Sequence, residues 1–180
     1  MNPKKSNSVR KIVIMGLNNA GKSSIALNLR GKKDLLSHLS LNPTEDHQVI
    51  NTEIMNTEFN FLDLSGQKEY RTEHLSNISR YLEHCDKLIY VIDIQDKKRY
   101  ELALDYLEKI IDKIKVMEPS LDLSIFFHKY DPGIKEKHPS IQNKLKYLIN
   151  EIKEIIPSKI PFEVFKTTIY TIFEKNPMLV

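Results

Sequence analysis

The 180-residue sequence predicts an α/β fold of three layers: an open, six-stranded, mostly parallel sheet with helices on both faces. Three observations predict it. Short apolar runs alternate with helical periodicity along the whole chain. The strongest of those runs, "KIVIM" (11–15) and "KLIYVIDI" (87–94), read as buried strands. The polar motifs gather just after such runs, where open α/β sheets bind ligands beyond the carboxyl ends of their strands.

The elements follow in order. "KIVIM" is a strand, and "KSSIALNLRG" behind it is a helix with Gly31 as its C-cap. "QVINTEIM" and "EFNFLDL" pair as two strands through a turn at Asn56 and Thr57. "KLIYVIDI" comes next. Residues 98–116 form an amphipathic helix, because Tyr100, Ala103, Leu104, Leu107, Ile110, Ile111 and Ile114 follow the i, i+3, i+4, i+7 rule. "LSIFF" (123–127) is a strand. Ile141, Leu145, Leu148, Ile149, Ile152 and Ile156 mark one face of a helix, and "FEVFKTTIY" (162–170) is the last strand. No internal repeat or low-complexity segment interrupts this order.

Composition narrows the function classes. Apolar residues make up 41% and charged residues 28%, the balance of a globular protein able to support its own core. A net charge of +3 does not argue for nucleic acid or an anionic membrane. The single cysteine, Cys85, suits a reducing, cytoplasmic setting. No run reaches the ~20 apolar residues of a membrane span. "MNPKKSNSVRK" lacks a signal-peptide centre, Asn2 excludes myristoylation, and "NPMLV" has no prenylation cysteine, so no intrinsic membrane anchor is expected. Residues 1–10 read as a flexible basic N-terminal segment and 11–180 as one domain.

The first chemical motif is "GLNNAGKSS", Gly16, Leu17, Asn18, Asn19, Ala20, Gly21, Lys22, Ser23 and Ser24. It contains G-x-x-x-x-G-K-S between a strand and a helix. Glycines let backbone N–H groups surround a phosphate, and the following helix aims its positive end at the same anion. Lys22 would meet the outer phosphates, and the Ser23 hydroxyl would ligate Mg²⁺. The bland alternative is a glycine turn between strand and helix.

The second motif is "DLSGQ", with Asp63 at the end of a strand. Its carboxylate can hold Mg²⁺ through water, opposite Ser23. Gly66 can turn its N–H toward a γ-phosphate, and Gln67 can orient an attacking water. The alternative is a strand ending in a glycine turn. "LSLNPTEDH" between the two motifs places Thr44 where it could close on Mg²⁺, or simply occupy a loop. Arg71 reads as a solvated residue.

The third motif is "FFHKYD", with His128, Lys129 and Asp131 at another strand end. An aspartate here can accept from guanine N1–H and the 2-amino group, which adenine does not offer. The stem of Lys129 can lie along base or sugar, and His128 can bond across to the phosphate loop. Backbone N–H groups of Thr168 and Ile169 in "KTTIY" can reach the guanine O6. A polar strand exit is the alternative for both.

Taken together, "GLNNAGKSS", Thr44, "DLSGQ", "FFHKYD" and "TTIY" resemble the small GTPases of the Ras superfamily in order and spacing. The phosphate loop resembles the Arf branch, with Asn18 where Arf proteins usually carry aspartate. "HKYD", "KLIYVIDI" and "TTIYTIFE" resemble the Rag/Gtr branch. The resemblance spans about residues 10–175 and implies a P-loop NTPase (small GTPase) fold binding GTP/GDP with Mg²⁺.

It further implies slow GTP hydrolysis with Gln67, Lys22 and Thr44 in catalysis and Ser23, Thr44 and Asp63 at the metal. Residues 34–47 and 65–80 are the expected switch segments, meeting activating, exchange and effector proteins. No Rag-type C-terminal dimerisation domain and no myristoylated Arf-type helix is evident. The obligate heterodimer and the membrane switch therefore do not carry over, and a dimer through the GTPase domain stays open. A GTP/GDP-binding scaffold and a P-loop phosphotransferase remain alternatives, the latter lacking an arginine-rich lid.

Overall fold

The computed structural model describes residues 9–29, 42, 44–117 and 121–169. Six strands form one sheet: β1 (Val9–Gly16), β2 (His47–Ile54), β3 (Thr57–Leu64), β4 (Lys87–Asp93), β5 (Asp122–His128) and β6 (Phe162–Lys166). Their spatial order is β2-β3-β1-β4-β5-β6, and only β2 runs antiparallel, against β3. The helices are α1 (Lys22–Leu29), α2 (Lys68–Ser76), α3 (Ile78–Leu82), α4 (Tyr100–Met117), α5 (Ile134–Lys137) and α6 (Ile141–Ile155). A 3₁₀ turn, Lys97–Arg99, leads into α4.

The alternation of side chains along each strand divides the core in two. Val13 and Met15 of β1 face Leu88, Tyr90 and Ile92 of β4 and the apolar stripes of α4 and α6. Ile14, between them in sequence, faces the opposite side with Phe61, Ile89, Val91 and the Ile25 and Ala26 of α1. The stripe expected on α4 is buried at every one of its seven positions. Truncating a fully buried member such as Leu107 to alanine should cost roughly 2–5 kcal/mol.

Several boundaries differ from the sequence expectation. β1 begins at Val9, because Val9 and Arg10 pair with Glu58 and Phe59 and Arg10 meets the Asp86 carboxylate at 2.9 Å. The hairpin turn sits at Met55 and Asn56 rather than Asn56 and Thr57. Both turn residues have positive φ, 50° and 62°, the backbone that a two-residue hairpin of this hand demands. A β-branched threonine resists that region, so Thr57 opens β3 instead. Regular pairing of β6 stops at Lys166, short of Tyr170. The proposed cap Gly31, residues 34–41 and 43, and Tyr170 onward lie outside the described residues. Among the described residues no helix is long and apolar enough to cross a membrane.

Parallel β1, β4 and β5 with β3 all end on the same rim of the sheet. That rim receives every motif singled out from the sequence.

Candidate functional site

The loop between β1 and α1 wraps back on itself, with Asn19 at φ 59° and Gly21 at φ 94°. A Cβ at Gly21 would overlap the ring of His128, so this glycine is required twice, by its conformation and by its neighbour. Lys22 opens α1 and is buried, 6% exposed. Its Nζ donates to the carbonyl of Leu17 at 3.0 Å. Burial lowers the Lys22 pKa to about 8, with Asp63 pulling it back up and the Arg99 charge lowering it further. The loop, Thr44 and residues 65–67 enclose a cleft of about 390 Å³.

Three oxygens converge beneath that cleft. The hydroxyls of Ser23 and Thr44 lie 2.9 Å apart. Ser23 also donates to Oδ2 of Asp63, and Thr44 Oγ1 stands 3.4 Å from the same atom. Asp63 is wholly buried, and its Oδ1 has no hydrogen-bond partner. Burial pushes its carboxyl up, against the lowering effects of Lys22, Ser23 and Thr44. A buried carboxylate with an orphaned oxygen, beside two hydroxyls, is a hard-oxygen donor set suited to Mg²⁺. The residues present fit that ion.

The segment after β3 closes the cleft. The Gly66 carbonyl accepts from the N–H of Asn18 at 3.0 Å, and the Gln67 N–H is bonded to Ser65 Oγ at 3.3 Å. The Gln67 side chain donates to the Thr44 carbonyl at 3.0 Å, so the two expected switch segments touch here.

His128, Lys129 and Asp131 stand at the other end of the rim. His128 is buried, and its Nδ1 is 2.9 Å from Thr167 Oγ1. The ring meets the phosphate loop by packing on Gly21. The hydrogen bond expected of it across to the loop comes instead from Lys129, whose Nζ donates to Asn19 O at 2.8 Å and pairs with Asp93 at 2.7 Å. Asp131 accepts from Thr168 Oγ1 at 2.6 Å and from Gln95 Nε2 at 2.9 Å. Both its oxygens therefore already face donors, the pattern a guanine edge would present. Ile169 follows Thr168 on the same rim.

The profile of the Gtr1/RagA G protein conserved region matches residues 11–174. The chain belongs to this family of small GTPases. It is similar to ADP-ribosylation factor-like protein 6 of Caenorhabditis elegans, 31% identical over 123 residues, 68% of this chain and 62% of the relative. It thus spans less than two thirds of that relative. ADP-ribosylation factor-like protein 3 of the same organism is 31% identical over 136 residues, 75% of this chain and 68% of its own length. Among solved structures, the Arl6 BBS3 small GTPase from Trypanosoma brucei, with bound nucleotide analogue GppNp, superposes with a TM-score of 0.60 at 19% identity, covering 89% of this chain and 87% of that one. The mammalian SRP receptor superposes at 0.63 and 17% identity, covering 88% and 90%. These two show the fold, a P-loop small GTPase fold.

Other residues around this site escape a reading by motif. Asp93 ends β4 and Gln95 follows it, at the one central strand end that carries no named pattern, yet they hold Lys129 and Asp131. Asp46 links the segment before β2 to α2: its carboxylate lies 3.1 Å from His74 Nε2 and 2.6 Å from His47 Nδ1. Arg71 is not a solvated residue. It lies over the Tyr106 ring at 5.6 Å, with its Nε buried, because α2 packs on α4.

Proposed function

We propose that this domain binds GTP with Mg²⁺, hydrolyses it to GDP, and acts as a molecular switch. The observation that carries the reading is the meeting of Ser23, Thr44 and Asp63 oxygens beside buried Lys22, with Gln67 bonded to Thr44 above them. Bound Mg²⁺ would supply charge neutralisation for the β- and γ-phosphates, held from Ser23, Thr44 and Asp63. Lys22 and the N–H groups of residues 16–24 bind the phosphates. Asp131 selects guanine, with Lys129 tied to Asn19 fixing the distance between base and phosphate ends.

In hydrolysis an oxygen of water forms a bond to the γ-phosphorus while the bond from that phosphorus to the β–γ bridging oxygen breaks. The products are GDP and inorganic phosphate, and the water's protons pass to phosphate and solvent. Gln67 orients the water. Intrinsic turnover in such sites is on the order of 10⁻⁴ to 10⁻² s⁻¹, and an arginine supplied by a partner adds ~10³–10⁵-fold.

The switch would lie in segments 34–47 and 65–80. Losing the γ-phosphate removes what Thr44 and Gly66 bind, and the Gln67–Thr44 contact couples one release to the other. Regulators and effectors would read that surface. Single-turnover GTP hydrolysis in Mg²⁺, with and without chelator, tests the reading. Mg²⁺-dependent release of phosphate supports it. Tight GTP binding with no phosphate release favours a non-catalytic scaffold.

A further inference from the structure

Arg99 ends the 3₁₀ turn before α4 and reaches the phosphate loop from outside. Its Nη1 donates to both oxygens of Asn18, to the backbone carbonyl at 3.0 Å and to Oδ1 at 2.9 Å. Its Nε donates to Asp96 Oδ2 at 2.5 Å. Asp96 therefore anchors the guanidinium, and the guanidinium anchors Asn18. The side chain is only 28% exposed, so this arrangement is partly shielded from water.

Asn18 occupies a boundary. On one side it lines the 390 Å³ cleft with Gly66 and Gln67. On the other it borders a small hollow with Asp96, Arg99 and Tyr100. Its backbone N–H donates to the Gly66 carbonyl, one residue before Gln67. One continuous line of contacts runs from Asp96 through Arg99 and Asn18 to Gly66. The Asn18 amide has donors and acceptors of its own. Released from Arg99, it can rotate into the cleft and compete for the groups that Gln67 and a water use.

We infer that Arg99 is a positioning residue for the hydrolysis proposed above, holding the Asn18 side chain out of the cleft so that the space beside Gly66 and Gln67 is left to the attacking water. The inference rests on that hydrolytic reading. One feature of the site supports it: the same guanidinium nitrogen grips both the backbone and the side chain of Asn18, which fixes its rotamer as well as its loop. Lysine cannot bridge Asp96 and Asn18 as a planar guanidinium does.

The test is single-turnover GTP hydrolysis in Mg²⁺ alongside GTP and GDP affinities. In Arg99→Ala the hydrolysis rate falls about tenfold while both affinities change less than about threefold. Arg99→Lys falls between the native protein and Arg99→Ala. In an Asn18→Gly background, where no amide remains to be held, Arg99→Ala changes the rate less than about twofold. An equal loss in both backgrounds overturns the inference, as does an unchanged rate or a loss of affinity in proportion to rate. If the native protein releases no phosphate, the hydrolytic reading fails and takes this role with it. Native hydrolysis that Arg99→Ala leaves intact removes the Arg99 role alone.

Discussion

The backbone N–H of Asn18 donates to the carbonyl of Gly66 at 3.0 Å, joining the loop after β1 to the segment after β3. The approach is so close that a Cβ on Gly66 would overlap the Asn18 nitrogen and the Leu17 carbonyl carbon, both backbone atoms. Backbone cannot swing aside as a side chain can. Gly66→Ala should therefore push the two segments apart and cost about 1–3 kcal/mol in urea unfolding of the nucleotide-free protein. Unchanged stability would mean that this contact is loose in solution.

The converging oxygens make a second expectation. Chelating Mg²⁺ should weaken GDP binding to the native protein by at least about tenfold, because Ser23 and Asp63 then lose the ion that links them to phosphate. In Ser23→Ala the same chelation should change affinity less than about threefold. Fluorescent GDP titrations with and without EDTA measure both. An equal chelation effect in the two proteins would place the ion elsewhere.

Gln67 donates to the backbone carbonyl of Thr44, not to the Thr44 hydroxyl that meets Ser23 and Asp63, so its removal should spare binding. Gln67→Leu should slow single-turnover hydrolysis about 10²-fold with GTP affinity within about threefold of native. A rate equal to native would take Gln67 out of the mechanism.

His128 gives the site an acid limit. Burial holds its pKa below the ordinary 6.5, the Lys129 charge adds to that, and Asp93 and Asp131 oppose it. The unfolded chain then binds more protons than the folded one between the folded-state value and 6.5. Stability rises with pH through that window and is lost as pH falls through it. His128→Asn should flatten this limb. Thermal melts between about pH 5 and pH 7.5 should show a smaller acid loss of Tm in the variant. Equal acid losses in the two proteins would contradict the assignment.

Much of this was legible in the sequence, for physical reasons. Parallel strands buried on both faces read as apolar runs, so β1, β4 and β5 stood out. A strand-to-helix phosphate loop needs glycines at fixed places, so Gly16 to Ser24 announced itself. What stayed hidden depended on tertiary proximity. Asp93 at the end of β4, and Gln95 and Arg99 after it, have no recurring pattern of their own. Their meaning appears only when β4 is set between β1 and β5, which puts them against Asn18, Lys129 and Asp131. Arg71 looked solvated because its helix is polar, but α2 lays it across Tyr106. The hairpin slipped by one residue because turn propensity favoured Asn-Thr, while the register of β2 on β3 required positive φ at Met55.

The central claim is that this rim holds a guanine nucleotide, with the base chosen by Asp131. Titration calorimetry of the nucleotide-free protein with GDP and with ADP, both in Mg²⁺, tests it most directly. GDP should bind at least about 10²-fold more tightly, because guanine offers Asp131 an N1–H and a 2-amino donor in addition to Thr168 and Gln95, and adenine offers neither. Equal affinity for the two diphosphates would contradict the account.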